Sequence, residues 1–86
     1  MRKIEREMLA ALHAGRDWQN GNTRVTAHGE VYLHGNLIAT WRGGSVEVNR
    51  DMLARWPTTT TISRLHALGA DVYRRNRKPY LDGQTV

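Results

Sequence analysis

The sequence predicts an α+β domain with an N-terminal helix, a four-stranded antiparallel meander, a short second helix and a C-terminal β-hairpin. Three observations predict it. Apolar residues near the start recur at helical spacing. From Asn22 the period drops to two, and Gly or Asn punctuates each run. A threonine run then opens a second helical stretch that stops at a glycine.

The first helix is expected over Lys3 to Ala14. Ile4, Met8 and Leu12 fall four apart, Leu9 and Ala11 widen the stripe, and Arg2, Glu5, Arg6 and Glu7 are assigned to solvent. Gly15 suits the left-handed conformation that ends a helix. Four β-rich runs follow: Thr23–Ala27, Glu30–His34, Leu37–Arg42 and Ser45–Asn49. His28-Gly29, Gly35-Asn36 and Gly43-Gly44 separate them, and such residues supply the positive φ of tight hairpins. Val31 and Leu33 share one face, as do Val46 and Val48, so one side of the sheet is apolar and needs a helix to cover it.

Asn49 to Pro57 leaves two choices open. Met52, Leu53 and Trp56 fit a helical turn, and Met52–Trp56 also fits a short strand. Thr58 to Thr61 supply N-caps for a helix carrying Ile62, Leu65 and Leu68, with Gly69 as its stop. Val72–Arg74 is then expected to pair with Pro79–Leu81 across Arg75–Lys78. Pro79 is expected to hold that second strand at an edge, where a second copy could pair to form a homodimer. Asp82-Gly83 signals a further turn.

With 86 residues the chain, 1–86, is expected to form a single basic domain. No apolar run approaches the roughly 18 residues of a membrane helix, so no membrane partner is expected. Glu5 and Glu7 interrupt any secretory apolar region. The absence of cysteine excludes disulfides, thiolate metal sites and a Cys nucleophile. Thirteen Lys and Arg against eight Asp and Glu leave +5, which directs attention to polyanions and acidic surfaces.

The densest feature is the hairpin tip, where Arg74, Arg75, Arg77 and Lys78 fall within five positions between Tyr73 and Tyr80. Guanidinium groups grip phosphate in a fork and tyrosine rings stack on unpaired bases, so these six residues form the candidate nucleic-acid site. The alternative is a solvated loop. Thr59, Thr60 and Arg64 form a secondary candidate phosphate site at the start of the second helix, against the simpler reading that the threonines only cap it. Trp18, Trp41 and Trp56 are expected to anchor the core. Trp18, set among polar residues, is the candidate partner-binding anchor.

His13, His28, His34 and His66 have neither mutual spacing nor companion carboxylates for a metal, so no metal and no cofactor is expected. His34 shares a predicted strand face with Glu30 and Tyr32, and Ser63 lies three residues from His66. The first set is a weak constellation for acid–base work and the second lacks an orienting acid, so no catalytic residue is assigned.

The segments Val31–Ile38, Trp56–Gly69 and Pro79–Gly83 resemble a pattern found in small accessory proteins of tailed bacteriophages. In those proteins a strand with a Gly-Asn turn accompanies a W-x-T-x-T-T-x-x-R-L-x-A-L segment. The resemblance implies a phage accessory protein in the host bacterial cytoplasm, with a role in host takeover or genome handling. The leading expectation is non-enzymatic binding of DNA or RNA through phosphate contacts. The alternative is a small inhibitor or adaptor that binds an acidic surface of a host protein.

Overall fold

The structure, a computed structural model, describes residues 1–86 and is α+β. Helix α1 spans Lys3–Ala14, as its apolar spacing predicts, and Gly15 closes it at φ 65°. Five strands follow as an antiparallel meander: β1 (Trp18–Asn20), β2 (Thr23–Val25), β3 (Glu30–Leu33), β4 (Asn36–Arg42) and β5 (Ser45–Val48). Helices α2 (Arg50–Arg55) and α3 (Thr59–Ala67) lead to a three-stranded antiparallel sheet of β6 (Val72–Arg75), β7 (Lys78–Leu81) and β8 (Gln84–Thr85).

The meander has one strand more than predicted. Gly21 at φ 56° turns the chain back so that Trp18 lies opposite Val25, and polar Gln19 and Asn20 join the sheet through their backbone. The β3–β4 turn falls on His34 and Gly35, one position earlier than expected, with φ 51° and 80°. Its two positive φ values match the right-handed twist of the flanking strands. His34 therefore leaves the strand face shared by Glu30 and Tyr32.

Residues 50–55 settle the open choice as helix. Asn49, expected to end a strand, caps that helix: its side-chain oxygen accepts the Met52 N–H at 3.2 Å while its Nδ2 donates to the Leu37 carbonyl at 2.8 Å. Pro57 then stops the helix, because it disfavours helical geometry in the residue before it.

A row of side chains crosses the sheet from Trp18 through Val25, Val31 and Ala39 to Val48, and its middle three are fully buried. Helix α1 lays Met8, Ala11 and Leu12 on this side, and α3 adds Leu65. Each such residue contributes about 1.5–3 kcal/mol when its side chain is large. A bulge lets β4 bury two successive residues. Val31 opposes Ala39 while Tyr32 opposes Leu37, so Ile38 is the extra residue and both Ile38 and Ala39 turn inward. Gly29 is fixed by close approach, since a Cβ there would stand 2.1 Å from the Trp41 carbonyl oxygen.

The second sheet corrects the expectation for Pro79–Leu81. That segment is β7, the middle strand, and β8 covers the side expected to be open. The Val86 N–H reaches the Pro79 carbonyl at 3.2 Å, but proline has no N–H to return, so the ladder ends there. Proline here sets the end of pairing instead of marking an edge.

Candidate functional site

The basic hairpin is built by alternation. Val72 and Leu81 are cross-strand partners, both buried against the core. Stepping along the strands places Tyr73, Tyr80, Arg75 and Lys78 on the opposite face, and returns Arg74 to the inner one. Asn76 and Arg77 form the turn at φ 52° and 65°. Four of the six predicted hairpin residues thus share one outer surface, and Arg77 sits at its tip.

Arg75 and Lys78 lie directly opposite each other. Like charges in that position repel, and the molecule's one ion pair, Arg64 with Glu5, lies elsewhere. Arg75, Arg77 and Lys78 are all exposed and hold no carboxylate. The rings of Tyr73 and Tyr80 are parallel within 2°, with centroids 5.1 Å apart. Each therefore gives one face to the other. Tyr80 also has Thr85 of β8 as its neighbour, whereas Tyr73 borders the outer edge and is 38% exposed.

Arg74 differs from its neighbours. Its guanidinium donates to the Pro57 carbonyl at 3.1 Å and to Thr59 Oγ1 at 3.0 Å. The hairpin is thereby latched to the entry of α3, and Arg74 and Thr59 spend part of their bonding capacity on each other. Thr58 is the cap, accepting the Thr61 N–H at 3.1 Å, and the two hydroxyls lie 2.9 Å apart. Thr60 is half-buried.

The secondary phosphate site is not brought together. Arg64 is 3% exposed and points away from the helix start. Its Nη1 donates to Glu5 Oε2 at 2.7 Å and its Nε to Thr23 Oγ1 at 3.0 Å. Ser63 Oγ donates to the same Glu5 oxygen at 2.5 Å, and His66 bonds the Val72 carbonyl, so Ser63 and His66 have separate partners. Glu5, assigned to solvent by the apolar stripe, is likewise 3% exposed. Burial pushes its carboxyl upward. Hydrogen bonds from Ser63, Arg64 and the Arg2 N–H, with the Arg64 charge, outweigh that and hold it below its ordinary value.

The tryptophans also exchange places. Trp18 is half-buried against the core, and Trp41 meets His13 edge-on at 4.9 Å. Trp56 is 56% exposed, because it caps α2 just before Pro57 and so leaves the packed face. The neighbouring proline was the readable signal. No helix is long and apolar enough to cross a membrane, and no cluster of three or more His, Asp or Glu side chains is placed to hold a metal ion.

A family model described as Kyanoviridae Gp96 protein matches residues 1–86. Neither a curated protein nor a solved structure matches the chain.

Proposed function

The chain belongs to the Kyanoviridae Gp96 family of phage proteins, and from that premise we propose that it binds nucleic acid without catalysis, through the outer face of the β6–β7 hairpin. One observation carries this reading. Arg75 and Lys78 face each other across a tight turn, with Arg77 between them and no acid to neutralise any of the three. That arrangement costs stability in the free protein and is relieved by a polyanion. Its phosphates neutralise the three cations, and Tyr73 offers the free ring face for stacking. Arg74 positions the hairpin. Such contacts bring little sequence choice, and the site of action is the cytoplasm of the infected bacterium.

Binding of a labelled oligonucleotide across a salt series tests the reading. Replacing Arg75, Arg77 and Lys78 with alanine is expected to weaken binding and flatten the log–log salt slope by roughly two to three. A wild-type protein that retains no oligonucleotide at physiological salt overturns it.

The exposed Trp56 favours a second reading, a small inhibitor or adaptor that docks on an acidic host protein and uses the indole as an anchor. Pull-down from nuclease-treated lysate separates the two. A stoichiometric protein that survives the treatment supports the adaptor, and loss of all co-purifying material supports nucleic acid.

A further inference from the structure

Trp56 is not isolated on the surface. It borders a groove of about 420 Å³ whose apolar wall is Met52 and the indole itself, with the buried Leu33 and Ile38 beneath. Asn36 and Thr60 bring an amide and a hydroxyl to the same groove. None of its nine lining residues is an acid. Exposed Arg55 precedes Trp56 in the chain, and Arg74 holds the carbonyl of Pro57, the next residue, at 3.1 Å. The groove therefore meets the inner face of the basic hairpin at one corner, through Arg74, and Arg77 in the turn leads from there to the outer-face cations.

From this juxtaposition, and resting on the nucleic-acid reading above, we infer that the ligand is single-stranded. An unpaired base enters the groove and stacks on Trp56, while the phosphates beside it run past Arg74 onto the hairpin cations. The chemistry of the two parts matches the two halves of a nucleotide. An apolar, aromatic slot with an amide and a hydroxyl suits a base, which has a π-face and polar edges, and the flanking guanidinium groups suit its phosphate. A paired base cannot enter such a slot, because its face is stacked and its edge is occupied. Discrimination against duplex follows from the shape of the groove, whereas the hairpin alone binds either form through phosphate.

Fluorescence anisotropy with a dye-labelled oligothymidylate and with a duplex of equal length tests this. The wild-type protein is expected to prefer the single strand. Trp56→Ala is expected to lower affinity for the single strand about tenfold, leaving duplex binding and the salt slope as they were. Trp56→Phe keeps most of the affinity, and far-ultraviolet circular dichroism confirms that both variants fold. Unchanged single-strand affinity in a folded Trp56→Ala protein overturns the groove as a base site. The hairpin reading survives that result if the Arg75, Arg77 and Lys78 variant still loses binding. If Trp56→Ala leaves the oligothymidylate bound but abolishes capture of a nuclease-resistant protein partner, the groove belongs to the adaptor reading. Absence of any oligonucleotide binding by the wild type removes both proposals together.

Discussion

Two regions of this small molecule use arginine in opposite ways. At the junction of α1, β2 and α3, Arg64 is buried with Glu5, Thr23 and Ser63, and its charge is matched. At the hairpin tip, Arg75 and Arg77 stand in solvent beside Lys78 without an acid. The same residue type closes a core in one place and leaves a surface unfinished in the other. Charge in a small domain thus has meaning only with its partners. A net +5 says that cations are in excess, and their bonding shows two that the fold uses, Arg64 in its ion pair and Arg74 in its latch to α3.

The contrast is sharpest in stability. Arg64→Met leaves the Glu5 carboxylate buried without its counter-ion, held only by Ser63 and the Arg2 N–H, and is expected to cost about 3–5 kcal/mol. For a domain whose whole margin is roughly 5–15 kcal/mol, urea unfolding should register a large drop in midpoint. Arg75→Ala on the exposed strand should change the unfolding free energy by no more than about 0.5 kcal/mol. Equal losses at the two positions would erase the distinction drawn between them.

Acid should act on the buried region. The Glu5 carboxyl titrates below its ordinary value of 4.5 in the folded chain, so the unfolded chain takes up its proton first as pH falls. Its contribution is full above that ordinary value and is lost as pH drops through the folded one. Unfolding free energy measured across the range below about pH 4.5 should fall in the wild type. Glu5→Gln, less stable at neutral pH, should show a shallower decline because it has no carboxylate there to protonate.

A smaller effect of opposite sign is expected at the tip. Lys78→Glu replaces the repulsion facing Arg75 with an attraction and should raise stability by about 0.5 kcal/mol in urea. The same change reverses one charge of the proposed interface, so oligonucleotide affinity should fall as stability rises. A variant that loses both would show that Lys78 serves the fold.

Much of the architecture was legible because its signals are local. The α1 bounds follow from Ile4, Met8, Leu12 and Gly15, and the Gly43-Gly44 turn follows from residues that accept positive φ. The errors have non-local causes. Glu5 lies at i, i+3 and i+7 with Met8 and Leu12, a spacing compatible with burial, but its partner Arg64 is 59 residues away and cannot be read from the helix. After Trp18, strand β1 carries the polar Gln19 and Asn20, which join the sheet by backbone pairing that periodicity does not report. Pro79 suggests an edge until the last few residues fold back over it. The cluster of cations at the hairpin was visible in the sequence. The engagement of Arg74 by Pro57 and Thr59, and the sharing of ring faces by Tyr73 and Tyr80, needed the fold.

The location of binding is open to direct observation by titrating isotope-labelled protein with a short single-stranded oligonucleotide at physiological ionic strength and following its amide resonances. Shifts are expected to concentrate on Tyr73 to Tyr80 and around Trp56, with the amides of Glu5 and Arg64 nearly still. Shifts confined to other surfaces, or none at saturating oligonucleotide, would contradict that expectation.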